Sequence, residues 1–422
     1  MRIPDYRRHS RLLLDVGLLI AFRISAIAVG LVYVKVYTSR LTTDALGVFF
    51  YLTTLSYLLN ALLFVPYDYY IQAYCSRAGE HLPWRPVARM TGGVLAAALL
   101  LALAAGSLLI VLGQLTVADV ALLYGMAVLL FVCTSLRNLL NNRGHRRIAA
   151  AALLIEAVGR ITAFLLLLFA FTPSGRVLFG SAAAALAVEL LVLTGFAASK
   201  LSWTGDAALR RSSIVATTAP VSISAACNLL QLQGYRTMYP WSGIPTTAAL
   251  FAVVANIGAA GMMAAGQVFS QIFLPRVYQS GGGFIGTYVK LAAALIMAVA
   301  TFAWIVSPWL VPFMTSPLYG RYAGLIVFGV VMEGSNLIVA AIAARSMLQG
   351  DTRHLMTWNI ASAVVGAGGY GLSIVFAPDS PMAIGIALLL SQAVVVGGLM
   401  MGLRRNPPIQ TASPHPTVEI LP

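Results

Sequence analysis

The chain alternates long apolar runs with short polar breaks, and the runs have the length of membrane-crossing helices. About 20 residues suffice to span a bilayer as a helix. Marking runs against breaks gives twelve candidates, at roughly 12–38, 45–74, 87–113, 117–140, 148–171, 177–199, 213–238, 246–273, 286–311, 321–348, 355–376 and 381–403. They are continuous and rich in Ala and Leu, without strict alternation, so a closed β-barrel is excluded. The seventh run, and the junction of the ninth and tenth, are interrupted by Pro220, Pro240, Pro308 and Pro312, which punctuate a helical pattern. The fold class this predicts is an all-α polytopic membrane protein. The first run is too long for a signal peptide, contains Arg23 and Lys35, and has no convincing cleavage site, so it is read as helix one. The polar, proline-bearing segment 404–422 is expected to be a disordered cytoplasmic tail.

Composition agrees with this reading. Hydrophobic residues make up 59% of the chain and charged residues only 9%, against about 25% charged in a soluble domain. A soluble multidomain protein is therefore excluded. The net charge of +14 comes from 27 Lys+Arg against 13 Asp+Glu. No stretch is long and polar enough to make this a nucleic-acid patch. With the N-terminus inside, twenty of the cations fall on inner connections, Arg137, Arg143, Arg146, Arg147 and Arg345 among them. The outer connections hold only Arg40, Arg176 and Arg321. This bias supports the twelve-helix count and predicts a multi-pass protein with both termini cytoplasmic.

The connections are too short for a folded catalytic domain, and no GxxxxGK[ST] phosphate cradle occurs. Neither a membrane glycosyltransferase nor an ATP-driven pump is expected; the chain reads as a non-enzyme. The Gly281-Gly282-Gly283 run is read as a hinge. Cys75, Cys133 and Cys227 lack CxxC spacing and read as packing residues. The five His residues form no ligand pair, so no metal or cofactor is implied.

Twelve helices divide as six plus six, with the break in the basic segment Ser199–Ser213. The expected units are 1–205 and 206–403. Lys35 falls opposite Arg236 at an offset of 201, and Tyr74 opposite Tyr278 at an offset of 204. Six is even, so both halves share one orientation and are related by an axis along the membrane normal, with a substrate site between them.

The stretch SRLTTDALGVFFYLTTLSYLLNAL follows a first helix with embedded cations. Leu46, Gly47 and Phe49 open helix two after a short outer turn. Arg236 precedes a short turn and the run ALFAVVANIGAAG, which continues to FLPRVY, and ARSMLQGDTRH joins helices ten and eleven. In this layout the chain resembles the polysaccharide-transport flippases, relatives of the multidrug and toxin extrusion exporters within the multidrug/oligosaccharidyl-lipid/polysaccharide exporter superfamily. The acidic residue that often precedes the helix-seven cation in that family is Tyr235 here, so that acid's role does not transfer. The resemblance implies transfer of a polyprenyl-diphosphate-linked oligosaccharide across a bacterial cytoplasmic membrane for surface polysaccharide synthesis, with membrane lipids and a glycan polymerase as partners and no nucleic acid.

Ionisable groups within spans are expensive, roughly 2.5–3.5 kcal/mol each at a helix centre, and usually face a cavity or a partner. Arg23, Lys35 and Arg236 are the candidate contacts for a diphosphate, because a guanidinium fork matches phosphate oxygens. Arg23 and Lys35 are twelve residues apart, about 120° around a helix, and cannot share one narrow stripe. Glu156 and Arg160 stand four apart with the acid first, and read as a structural ion pair. Glu189 and Glu333, near mid-span, are coupling candidates for proton or sodium antiport; the alternative drive is the membrane potential acting on the anion. Asn60, Gln231, Gln267 and Gln271 are candidate glycan contacts, with interhelical hydrogen bonding the competing role. Two rivals stay open: a cation-coupled multidrug exporter on the same scaffold, and a non-transporting scaffold of polysaccharide assembly.

Overall fold

The computed structural model describes residues 6–77, 81–204, 212–280, 282–349 and 353–405. Helix α1 runs Tyr6–Arg40. The second rod joins α2 (Thr43–Leu59), a π-helical turn (Asn60–Phe64) and α3 (Val65–Arg77). Then follow α4 (Trp84–Val111), α5 (Val117–Asn142), α6 (Arg146–Ala170) and α7 (Gly175–Lys200). The seventh rod is α8 (Ser212–Gln233) continued by α9 (Tyr235–Trp241). The last five are α10 (Pro245–Gln279), α11 (Ile285–Met314), a 3₁₀ segment (Pro317–Leu325) leading into α12 (Ile326–Gln349), α13 (Arg353–Phe376) and α14 (Pro381–Arg405). Among the described residues, ten of these rods are long and apolar enough to cross a membrane; α1 and α8–α9 bring the set to twelve. The chain is an all-α, multi-pass membrane protein.

The helix boundaries have local causes. Thr116 caps α5 by accepting from the Asp119 amide, while Asp119 accepts from the Thr116 amide, a reciprocal box that satisfies two otherwise orphaned donors. Ser174 caps α7 in the simpler way, accepting from Val177 N. Prolines open α10 and α14, where a missing amide costs nothing. Pro308 and Pro312 do not end the ninth span: α11 continues past both to Met314. The π-helical turn lies just before Pro66, whose ring clashes with the carbonyl four residues back in a regular helix. Widening the helix there relieves that clash without ending the span.

One addition departs from a purely helical expectation. His81–Pro83 (β1) pairs in parallel with Ser202–Thr204 (β2). These three-residue strands tie the α3–α4 connection to the segment that leaves α7. The expected unit boundary at 205–206 and the segment beyond 405 lie outside the described residues.

Packing repeats between the halves. In the first, α1 packs on α6, α6 on α7, α2 and α4 on α5, and α5 on α7. In the second, α8 packs on α13, α13 on α14, α10 and α11 on α12, and α12 on α14. Each pairing has its counterpart six spans later. The tightest of these contacts uses missing side chains. A Cβ on Gly329 would lie 1.7 Å from the Ala255 carbonyl oxygen, and one on Gly258 would lie 2.0 Å from that of Ile326. Only glycine allows α10 and α12 to approach so closely, and small residues at such crossings drive helix association in lipid.

Across the halves, four described contacts gather at the face opposite the chain's start. Gly47 meets Pro245. Thr246 donates its hydroxyl to Asp44, and Trp241 Nε1 donates to the Tyr51 hydroxyl at 2.9 Å. Lys35 Nζ donates to the carbonyls of Pro312 (3.2 Å) and Thr315.

Candidate functional site

A cavity of about 610 Å³ lies between the halves. Its walls are helical stripes. Helix α1 contributes Ala26, Ile27, Gly30, Leu31, Tyr33, Val34 and Tyr37; α6 contributes Leu153, Glu156, Ala157 and Arg160; α10 contributes Asn256, Ala260, Met263 and Gln267. Spacings of three and four keep each set on one helix face. Phe49, Phe50, Thr53 and Tyr57 of α2, Gln233 and Arg236 at the α8–α9 joint, and Met332 of α12 complete the described lining.

Arg236 is 6% exposed. It donates from Nε to the Tyr235 hydroxyl (2.9 Å), from Nη1 to Gln233 Oε1 (3.3 Å) and from Nη2 to Asn256 Oδ1 (2.8 Å). The guanidinium carbon also lies 4.9 Å from the Phe50 ring centre and 5.5 Å from that of Tyr235, within the range of cation–π attraction. Every described partner is neutral, so no carboxylate among the described residues cancels this cation. A charge in such a place is costly unless something compensates it, and a ligand anion in the cavity would do so. The Tyr235 found in place of an acid is thus a neutral acceptor for Arg236.

On the facing wall, Arg160 donates from Nη2 to Glu156 Oε1 at 2.5 Å, four residues back on α6. The expected ion pair forms, but it lines the cavity and has a further member. Arg137 of α5 donates from Nη1 to Glu156 Oε2 at 2.9 Å and lies 3.4 Å, through Nε, from Oε1 of the wholly buried Glu189. The order from cavity to interior is Arg160, Glu156, Arg137, Glu189. Counting Arg137 among the loop cations was an error: it sits one turn inside α5, with a side chain 13% exposed. The apolar run 117–140 already contained it, and that was the signal to place it within the bilayer. Arg345, counted the same way, is 3% exposed near the end of α12, where it packs on Gly282.

The remaining candidates disperse. Lys35 is absent from the described cavity wall; its ammonium holds the carbonyl end of α11, where a helix favours a cation. Asn60 donates to the Ala127 carbonyl at 3.3 Å and joins α2 to α5. Gln231 is fully buried, donating to Ser391 Oγ (3.2 Å) and accepting from Ser362 Oγ (2.9 Å), which clamps α8 to α13 and α14. Gln267 lines the cavity. Glu333 accepts from Asn336 at 3.4 Å and is not part of the described lining, although its neighbour Met332 is. The side chains of Arg23 and Gln271 lie outside the described residues. Reasoning from sequence missed Asn256, which has no charge to draw notice, and the aromatic lining of Tyr33, Tyr37, Phe49, Phe50 and Tyr57, whose residue types are ordinary in membrane helices. Among the described residues no three His, Cys, Asp or Glu side chains converge as a metal site.

No protein-family profile and no curated protein matches this chain. Solved structures do. A multidrug resistance MATE family transporter of the MOP superfamily, in an inward-facing conformation, superposes with a TM-score of 0.62 at 15% identity, covering 92% of this chain and 98% of its own. The lipid II flippase MurJ, in an inward closed conformation, gives 0.64 at 10% identity over 93% and 87%. A MOP superfamily transporter from Pyrococcus furiosus, described as having a binding pocket of reverse polarity, gives 0.56 at 16% identity over 92% and 95%. At these identities the likeness is one of fold: this chain has the architecture shared by solved MOP superfamily transporters.

Proposed function

We propose that this protein is a membrane transporter that flips a polyprenyl-diphosphate-linked oligosaccharide precursor from the cytoplasmic to the outer leaflet by alternating access. The observation that carries the reading is Arg236: a buried cation on a cavity wall between two halves, whose partners among the described residues are all neutral. An anionic headgroup supplies the missing counter-charge, and the guanidinium fork suits phosphate oxygens. Arg23, three residues before Ala26 in the α1 sequence, is a second proposed phosphate contact. Gln233, Gln267 and Asn256 are proposed donors and acceptors for the attached sugars. The likeness in fold to MurJ, named as a lipid II flippase, supports this reading.

The cross-half contacts at Gly47, Tyr51, Lys35 and Asp44 close one face of the cavity. In the proposed orientation, with both termini cytoplasmic, this is the outer face; deeper in the bundle α8 also packs on the π-helical turn and α3, and it is the outer contacts that must part for release. Rocking the halves apart there completes the cycle. Surface polysaccharide synthesis is the proposed process, with a glycan polymerase downstream.

The multidrug-exporter reading shares the fold and draws support from the aromatic lining. It meets one physical objection. Glu156, the acid on the described cavity wall, is held by Arg137 and Arg160 together, which leaves an organic cation no free carboxylate there. Reconstitution in vesicles distinguishes the two. A fluorescent short-chain polyprenyl diphosphate should be translocated by the protein and not by Arg236→Gln. Transport of a lipophilic cation, unaffected by Arg236→Gln and without translocation of the lipid, would overturn the proposal.

A further inference from the structure

The ion pair on the cavity wall has features that a purely structural bridge does not need. Arg160 presents a side chain 26% exposed to the cavity, and its buried Nε has no hydrogen-bond partner. Its described hydrogen bonding is a single contact with Glu156. Glu156, in contrast, is held twice, because Arg137 binds its other oxygen. Arg137 in turn lies 3.4 Å from Glu189, whose two oxygens otherwise lack partners. Removing Arg160 from Glu156 therefore leaves each acid beside a cation, because the two acids share Arg137, Glu156 through Nη1 and Glu189 through Nε. Breaking a buried bridge is normally costly because it strands one member. Here Arg137, shared between the two acids, offsets part of that cost, and Arg160 itself stays in the cavity as the entering anion's partner.

We propose that Glu156 is a displaceable internal anion, and that Arg160 is a further phosphate-binding residue, facing Arg236 across the cavity from the other half. In the empty cavity the Glu156 carboxylate occupies one edge of the Arg160 fork. An entering phosphate-type anion takes that edge together with the free Nε–H, and Glu156 relaxes onto Arg137. With one cation on each half, the bound anion bridges the two bodies that must move, so occupancy and the relative position of the halves become coupled. This inference rests on the anionic-substrate reading above and adds a residue that reading does not require.

The test measures binding of farnesyl diphosphate to the purified protein in lipid nanodiscs, with farnesol and inorganic pyrophosphate as the other arms. Glu156→Gln should bind farnesyl diphosphate more tightly than the parent, because the competing carboxylate is gone. Arg160→Gln should bind it about tenfold more weakly, the scale of a lost hydrogen bond to a charged group. Arg160→Lys, which keeps the charge and is the variant safest for folding, should weaken it severalfold through loss of the fork. Thermal midpoints confirm that each variant is folded. If Arg236→Gln weakens binding while both Arg160 variants bind like the parent, the inference is overturned and the transport reading stands. A Glu156→Gln protein that is folded but binds no more tightly also overturns it. If the parent does not distinguish farnesyl diphosphate from farnesol, both fall. Pyrophosphate bound as tightly as the farnesyl ester, with the same response to Arg160 and Glu156, supports the anion pair and assigns it to a free phosphate in place of a lipid headgroup.

Discussion

Replacing Arg137 by Met tests the layered charge network directly, without knowledge of the substrate. Arg137 is 13% exposed and approaches both Glu156 and Glu189. The two acids differ in what they retain. Glu156 keeps Arg160, whereas Glu189 is completely buried and neither of its oxygens has a hydrogen-bond partner. The substitution therefore strands one carboxylate, at a cost of about 3–5 kcal/mol. Met fills similar volume with a flexible thioether, so packing adds little. Unfolding of the purified protein in mixed micelles, followed by tryptophan fluorescence against added SDS, reads this loss. The diagnostic arm is Arg137→Met combined with Glu189→Leu. An apolar pair of similar volume is often neutral or stabilising relative to a buried bridge, so the double variant should recover most of the loss. The reasoning is refuted if Arg137→Met costs less than about 1 kcal/mol, or if the two substitutions simply add.

Three further outcomes are expected. Gly329→Ala forces α10 and α12 apart, since its Cβ would lie 1.7 Å from the Ala255 carbonyl oxygen; a loss of about 1–3 kcal/mol should appear as a lower thermal midpoint. Lys35→Met removes the cation at the carbonyl end of α11, worth about 0.3–1 kcal/mol, and should loosen that face. Crosslinking between cysteines introduced at Asp44 and Thr246 should then be slower, and an unchanged rate would deny Lys35 a part in the closure. Gln231→Leu removes the bridge to Ser362 and Ser391, whose hydroxyls keep the Asn359 and Leu388 carbonyls, and should cost about 0.5–1.5 kcal/mol, while a folded remainder binds farnesyl diphosphate like the parent.

The apolar runs placed all twelve rods, most ends falling within three residues of the structure, because lipid forces each span to satisfy its own backbone and so to declare itself in hydropathy. The prolines misled only slightly, since Pro308 and Pro312 are accommodated inside α11. Side-chain direction was far less legible. Arg160 and Glu156 announced each other by their spacing, but Arg137 reaches them from another helix, and no local pattern encodes that approach. Gln231 and Asn60 have the same chemistry as Gln233 and Asn256, yet the first two join helices and the last two serve Arg236. Which of them meets the cavity is decided by rotation about the helix axis and by the neighbours, and a single sequence carries neither. The strand pair β1–β2 was illegible because three residues are too few to show a period.

That strand pair bears on how far the halves can separate. Thr204, the last residue of β2, pairs with Pro83 of β1 in the first half, and Ser212 begins α8, the first helix of the second half. Eight peptide steps connect them, which at full extension reach about 26–29 Å. Had the chain been loose from Lys200 onward, the leash would be half as long again. The ribbon thus sets an upper bound on the excursion of the start of α8, whatever drives it, and lengthening 205–211 should relax that bound without touching the cavity.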